Sequence, residues 1–374
     1  MKVAQVAPLY ESVPPKLYGG TERVVWYLTE ALVRLGVDVT LFASGDSLTS
    51  AELRPMCPAA LRLNPDCIDS LAYHILMLER AINAADEFDV IHFHTDYLHF
   101  PLARRMPTPH LTTLHGRLDI QDLALIHYEF RDMPLVSISN SQRTPLPWAN
   151  WQGTVYHGLA PELYSLNAKA GQYLAFLGRI SPEKRADRAI EIARRSGIPL
   201  KIAAKVDRVD QEYFEAKIRP LLDDPLVEYI GEIGEMEKPQ FLANAVALLF
   251  PIDWPEPFGL VTIEAMACGT PVVAWPHGSV PEIIEPGVTG FLVNSIDEAV
   301  QAVQQVETIS REGCRRVFEE RFTSERMARD YLSLYTRLTD SMRPVQAPKL
   351  YEVADERSRP DQRPILHPRD LFTR

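Results

Sequence analysis

The sequence predicts a two-domain α/β protein built on parallel sheets, and three observations carry that reading. Its 374 residues exceed what one core usually supports, since single cores stop growing at about 250–300 residues. Short β-branched runs alternate with helical patterns over most of the length, the mark of repeated βαβ units. Between residues 158 and 171 there is neither periodicity nor a strand-like run, which makes this stretch the natural linker.

The first domain, residues 1–160, offers strands at KVAQVAP (2–8), DVTLFAS (38–44), DVIHFH (89–94), HLTTLH (110–115), LVSISN (135–140) and GTVYH (153–157). The second, residues 172–322, repeats the theme with YLAFLGR (173–179), LKIAAKV (200–206), VEYIGEI (227–233), VALLFP (246–251), TPVVAW (270–275) and GFLVN (290–294). Helices such as ADRAIEIARRSG and KPQFLANAV separate these strands. Beyond residue 322, Met327, Tyr331, Leu334, Tyr335 and Leu338 recur at helical spacing. One last helix is expected over 323–340, packing back on the first domain. The tail, 341–374, is rich in Pro, Arg and Asp and is expected to be extended.

Composition narrows the function. Hydrophobic residues at 46% and charged residues at 24% are ordinary for a folded globular chain. A net charge of −11 argues against nucleic acid as a partner, because phosphate binding needs a basic face. No apolar run approaches the roughly 20 residues that span a bilayer, and MKVAQVAPLY lacks the pattern of a signal peptide. A cytoplasmic location is therefore expected. The four cysteines form no CxxC pair and read as reduced thiols.

The most informative segment is EPFGLVTIE, which sets Glu256 and Glu264 eight residues apart. Pro255 and Pro257 keep Glu256 out of a helix, whereas Glu264 lies in a helix ending at Cys268, with Gly269 as the permissive residue beyond. That helix should begin between Phe258 and Leu260, leaving the amides of Phe258, Gly259 and Leu260 free at the positive end of the dipole, where an anion or a sugar hydroxyl docks. Taken singly, each glutamate also reads as a solvated surface residue.

As a whole, the stretch resembles the E-x7-E motif of the family 4 retaining glycosyltransferases, and the likeness continues through MACGTPVVAWPHGSVPEII and EPGVTGFLV. The resemblance implies the GT-B fold, two Rossmann-like domains whose parallel sheets face each other across a cleft. It further implies that Glu264 binds the ribose of a nucleotide, that Glu256 contacts the transferred sugar, and that the backbone of Phe258, Gly259 and Leu260 lines the sugar and phosphate site.

FLGRISPEK places Arg179 at a strand end, with Gly178 before it, and Lys184 and Arg185 at the start of a helix. Cations there oppose the helix dipole, so an anionic partner such as a diphosphate accounts for them, and salt bridges to Glu183 or Asp187 are the plainer alternative. The family's G-R-x4-K pattern implies that Arg179 and Lys184 hold the donor diphosphate. Arg185 stands where the family usually has glycine.

Near the N-terminus, Gly19 and Gly20 precede a helix for which Thr21 is the expected cap. This is not the G-x-G-x-x-G of a dinucleotide oxidoreductase. Its resemblance to the family's GGxE loop implies that it faces the donor phosphate or the acceptor. His115 should sit at the carboxyl edge of the first sheet, where α/β folds bind ligands, and by resemblance it contacts the transferred sugar. His92, His94 and Asp96 alternate like metal ligands, but a sheet-edge or pocket-lining role is the better reading, so no metal site is assigned. His157 replaces the asparagine of the family's V-x-N-G-x-D element.

Together these residues and the family resemblance imply metal-independent transfer of a hexose from a nucleotide diphosphate sugar, with retention as what the resemblance implies. A UDP-sugar is favoured over GDP-mannose, and Ile230, Gly231 and Glu232 are expected near the base. No cofactor beyond that co-substrate is expected. The acceptor, whether small molecule, glycan or lipid-linked sugar, is not encoded in any motif. A nucleotide-sugar epimerase of the same fold and a non-catalytic nucleotide-sugar binder are the competing readings.

Overall fold

A computed structural model describes residues 1–342, apart from residues 18, 63 and 170. The tail expected over 341–374 lies outside the described residues, except for the two that end the last helix.

Two parallel sheets organise the chain. The first comprises β1 (Lys2–Val6), β2 (Asp38–Ala43), β3 (Glu52–Pro55), β4 (Val90–Phe93), β5 (His110–Thr113), β6 (Leu135–Ser137) and β7 (Trp151–Thr154), in the order β3-β2-β1-β4-β5-β6-β7. The second comprises β8 (Tyr173–Arg179), β9 (Leu200–Lys205), β10 (Val227–Gly231), β11 (Ala245–Phe250), β12 (Val272–Ala274) and β13 (Gly290–Leu292), in the order β10-β9-β8-β11-β12-β13. Each order reverses direction beside its first strand, β1 or β8, and that switch point opens a crevice at the strands' carboxyl ends. Central strands such as β1 are buried on both faces and read as continuous apolar runs, with Gln5 as a fully buried polar exception.

Three local expectations need correction. A strand at Glu52–Pro55 pairs in parallel with β2; its ELRP sequence hides it, and Pro55 is tolerated because the strand lies at the sheet edge. The expected GTVYH strand is shifted upstream, to Trp151–Thr154. The first long helix, Gly20–Arg34, starts before Thr21: its N-cap is Gly19, with no side-chain cap, so Thr21 is not the cap.

The polypeptide passes from the first sheet to the second over residues 155–172 and returns at residues 322–324. The two crossings touch. Leu159 N donates to Phe322 O at 2.9 Å and Ser324 N donates to Leu159 O at 2.8 Å. Position 158 must be glycine, since a Cβ there would lie 2.2 Å from Thr323 O. After the return, the helix Ser324–Met342 lies on the first sheet, where the Tyr331 hydroxyl bonds Thr113 Oγ1 at 2.8 Å and the Tyr335 hydroxyl meets Gln5 and His92. One apolar cluster accordingly runs from Val3 and Tyr27 through Leu159 and Tyr164 to Phe258 and Ile263, and includes Tyr331 and Tyr335.

Candidate active site

The carboxyl ends of the two sheets enclose a cavity of about 440 Å³. Gly19, Gly20, His115, Gly178, Arg179, Lys184, Glu232, Glu256, Phe258, Gly259, Leu260 and Glu264 all line it. Two residues expected with them do not: Ile230 faces a separate depression beside Tyr173 and Phe241, and Gly231 ends β10 at φ +78° away from the lining.

Glu256 sits in the loop that its flanking prolines require, yet it is 8% exposed rather than solvated. Backbone contacts hold the loop from two sides. Ser279 N donates to Glu256 O at 2.9 Å and Ser279 Oγ to Phe258 O at 2.9 Å, while Ser139 Oγ of the first domain donates to Pro257 O at 2.7 Å. Gly278 makes this possible: its φ is +62°, and a Cβ would lie 2.3 Å from Glu256 O. The Glu256 carboxylate accepts from Trp254 Nε1 at 3.0 Å and forms an ion pair with Lys184. The Lys184 ammonium also lies over the Trp254 ring, 4.8 Å from its centroid, a cation–π contact that further fixes it.

Just past Glu256, Gly259 caps the helix Leu260–Ala267 at φ +83°, a left-handed conformation that suits glycine. Leu260 therefore starts the helix, as the sequence indicates, and its first turn faces the cavity.

Arg179 is held among carboxylates: it pairs with Glu183 and approaches Asp207 and Asp210 at 3.6 Å each. Arg185 has φ +54°, the left-handed conformation for which the family's glycine is suited. Its guanidinium turns from the cavity to Asp187 at 2.8 Å and Asp253 at 2.9 Å. The salt bridges weighed against a diphosphate thus exist, to Glu183 from Arg179 and to Asp187 from Arg185. Only the Arg179 pair borders the cavity.

Glu264 is 3% exposed and belongs to a buried network that crosses the domains. Its carboxylate lies 3.3 Å from Lys238 Nζ and 3.4 Å from the Tyr164 hydroxyl. Lys238 also pairs with Glu235 at 3.2 Å, and Glu235 accepts from the Tyr27 hydroxyl at 2.8 Å and pairs with Arg23 at 2.5 Å. Burial opposes ionisation of Glu235, but the cations Lys238 and Arg23 outweigh it and hold its carboxyl below the usual range. Arg23 and Tyr27 come from the first-domain helix Gly20–Arg34, and Glu235 and Lys238 from the second domain. The sequence reading missed this network, because Arg23 and Tyr27 lie 208 or more positions from Glu235, and pairs so distant carry no local signal.

On the first-domain wall, His115 follows β5 and is joined by His157, whose ring stacks on it at 5.3 Å with 16° between planes. Burial depresses the His115 pKa to about 3 and pushes that of His157 well below its ordinary value, so both are neutral. His92 and His94 do not line the cavity as expected but point into a hydrogen-bonded interior: His92 contacts Tyr335 and Thr113, and His94 contacts Gln5 and His115. Asp96 departs from strand geometry, at φ +47°.

The molecule as built has relatives. A family model described as "Glycosyltransferase Family 4" matches residues 18–177, and one described as "Glycosyl transferases group 1" matches residues 165–321. O-antigen chain mannosyltransferase C of Escherichia coli is 24% identical over 90% of this chain and 99% of its own. An uncharacterized 41.2 kDa protein in the cps region of Klebsiella pneumoniae is 29% identical, and the chain spans 45% of that protein's length. Among solved structures, AviGT4, a glycosyltransferase involved in avilamycin A biosynthesis, superposes with a TM-score of 0.72 at 26% identity, covering 91% of this chain and 98% of that one. Anabaena HepE in complex with UDP and glucose gives 0.70 at 20% identity over 90% of this chain and all of that one, a likeness of fold. No helix among the described residues is long and apolar enough to cross a membrane.

Proposed function

The chain is a glycosyltransferase of the GT-B type, and we propose that it moves a hexose, with retention of configuration, from a nucleotide diphosphate sugar to a hydroxyl acceptor. One observation carries this reading: the Lys184–Glu256 pair, Arg179, the N-terminus of the helix Leu260–Ala267 and the buried Glu264 all converge on a single cavity. They are graded in charge. The cations and helix amides suit a diphosphate, the carboxylate of Glu264 suits a ribose diol, and Glu256 with neutral His115 suits the hydroxyls of the sugar.

In the proposed reaction the bond between the anomeric carbon and the diphosphate oxygen breaks as the acceptor oxygen attacks the same face. The departing phosphate takes the acceptor's proton, so no side chain acts as base. Arg179 and Lys184 stabilise the charge that develops on the leaving group, the usual way a phosphate leaving group is catalysed. Diphosphate binding exchanges their carboxylate partners for phosphate oxygens, which releases Glu256 from Lys184 to meet the sugar. Neither this charge arrangement nor the sequence, which has no Asp-x-Asp, calls for a metal. UDP is the favoured nucleotide, a choice that leans on HepE's bound UDP, and a cytoplasmic location goes with the reading.

The test is turnover of donor, by hydrolysis or transfer, in Glu256→Ala and Lys184→Ala, after a thermal-shift screen with UDP, GDP, UDP-glucose and GDP-mannose has identified the nucleotide. Each variant is expected to lose at least two orders of magnitude, the usual scale for removing a transition-state charge partner. Unchanged turnover in both would refute the assignment.

A further inference from the structure

Behind the first-domain wall of the cavity a chain of hydrogen bonds runs into the sheet. His115 Nε2 lies 2.8 Å from His94 Nδ1, and His94 Nε2 lies 2.8 Å from Oε1 of Gln5. Gln5 Nε2 donates to the Tyr335 hydroxyl at 3.0 Å, whose oxygen lies 2.8 Å from His92 Nδ1, and His92 Nε2 lies 2.7 Å from Thr113 Oγ1. Water is shut out from the path behind His115: Gln5, His92, Thr113 and Tyr335 are 0% exposed and His94 is 2% exposed.

The direction of every bond follows from what each atom is able to do. An amide oxygen only accepts, so His94 Nε2 carries a proton. Burial keeps His94 neutral, which leaves its Nδ1 bare, and the proton in the next bond must come from His115 Nε2. His115 is itself held neutral by burial, so its Nδ1 is also bare. That nitrogen is buried, has no hydrogen-bond partner among the described residues, and belongs to a side chain that lines the cavity. The other arm agrees: Tyr335 accepts from Gln5 and gives its own proton to His92 Nδ1, and His92 Nε2 then donates to Thr113. Among the described residues, Gln5 is the group that hydrogen-bonds to both arms and sets their polarity.

We infer that Gln5 is a positioning residue: acting through His94, it fixes His115, whose side chain lines the cavity, in the Nε2–H tautomer, which leaves its Nδ1 unprotonated and able to accept a hydrogen bond from a ligand hydroxyl that reaches it. That the hydroxyl belongs to a sugar rests on the function proposed above; the tautomer does not. A ligand with fluorine or hydrogen in place of that hydroxyl leaves the buried nitrogen unpaired and is selected against.

The experiment is a multiple-bond proton–nitrogen NMR spectrum of the full, ligand-free chain labelled at histidine with ¹⁵N. Two histidines serve as internal references of the opposite tautomer, since Nδ1 of His74 donates to Ser70 O at 2.7 Å and Nδ1 of His127 to Leu123 O at 2.8 Å. His115, assigned by its loss in His115→Phe, is expected to show a protonated Nε2 and a bare Nδ1, the reverse of His74 and His127. A protonated Nδ1 overturns the inference. In Gln5→Met the His115 Nε2 proton is expected to exchange at least tenfold faster, with the His74 signal unmoved. Exchange unchanged at His115 removes the role given to Gln5, and His94→Phe tests the same link if Gln5→Met folds poorly. Because no ligand is added, the outcome is independent of whether the donor has been identified correctly.

Discussion

Replacing Glu235 by glutamine tests how much the cross-domain network contributes. The substitution removes one charge and keeps an oxygen that still accepts from Tyr27. Lys238 retains Glu264 as a partner, but Arg23 loses the one carboxylate with which it forms an ion pair in the described structure. Its side chain is 4% exposed, and a backbone contact to Leu17 O at 2.9 Å remains. Breaking one side of a buried pair costs about 3–5 kcal/mol, because the surviving charge stays out of water. Glu235 itself is 20% exposed, which draws the expectation to the lower end, about 3 kcal/mol. The double variant Arg23→Met/Glu235→Gln removes both charges and should cost only about 1 kcal/mol, giving a coupling of at least about 2 kcal/mol in the double-mutant cycle. Urea unfolding of the full chain at pH 7, followed by fluorescence and circular dichroism, measures all four corners. A cost below about 1 kcal/mol for Glu235→Gln, or single-variant effects that simply add, would refute the reasoning.

Other outcomes follow from the same structure. Stability should fall steeply from pH 7 to pH 5. His92, His94, His99, His115 and His157 have folded pKa values well below their ordinary 6.5, and those of His74, His110 and His127 are lowered too, so the unfolded chain takes up protons first as pH drops. Glu22, which burial pushes up to about 7, opposes them with one proton, leaving a net uptake of at least about four from the five most strongly shifted histidines and a slope that reaches about 5 kcal/mol per pH unit; a urea midpoint that is flat or rises on acidification would contradict this. Gly278→Ala should cut donor turnover about a hundredfold by displacing the Glu256 loop. Gly287→Ala, at φ +76° with nothing within 4 Å of its Cβ, should leave turnover unchanged and cost only about 1 kcal/mol of stability; equal turnover losses in the two would separate Gly278 from the site. With iodoacetamide the native chain should modify Cys67 alone at first, because Cys57, Cys268 and Cys314 are buried and burial pushes their pKa values up to about 11, 12 and 12. Rapid modification of all four in mass spectra would show the interior to be open.

Most strands were legible because a parallel strand covered on both faces must be an unbroken apolar run, as ALLF and VVA are. Glu52–Pro55 was not, since a polar edge strand differs little from a loop in sequence. Within the site, Glu256, Glu264, Arg179 and Lys184 were visible as local patterns: prolines confine Glu256 to a loop, glycines bracket the helix of Glu264, and a strand end places Arg179. What stayed hidden was every partner supplied from far away. Glu264 looks solvated until Lys238 and Tyr164 arrive, and the alternation of His92 and His94 suggests metal ligands, whereas their ring nitrogens hydrogen-bond to Tyr335 and Gln5, residues 330 positions apart. Arg185 shows the limit from the other side, since its left-handed backbone is a demand of the turn that the side chain gives no hint of.

The two crossings at Leu159 and Phe322–Ser324 lie side by side and are hydrogen-bonded to each other. A pair of adjacent tethers behaves like the two leaves of a door hinge: it permits swing about the line joining them and resists both twist and separation. A protease cut in residues 165–172 would therefore leave the halves joined by the return strand and by the helix Ser324–Met342, still docked on the first sheet. A hinge so built would confine any closure of the cleft to one arc, with Glu256 and His115 on its facing walls.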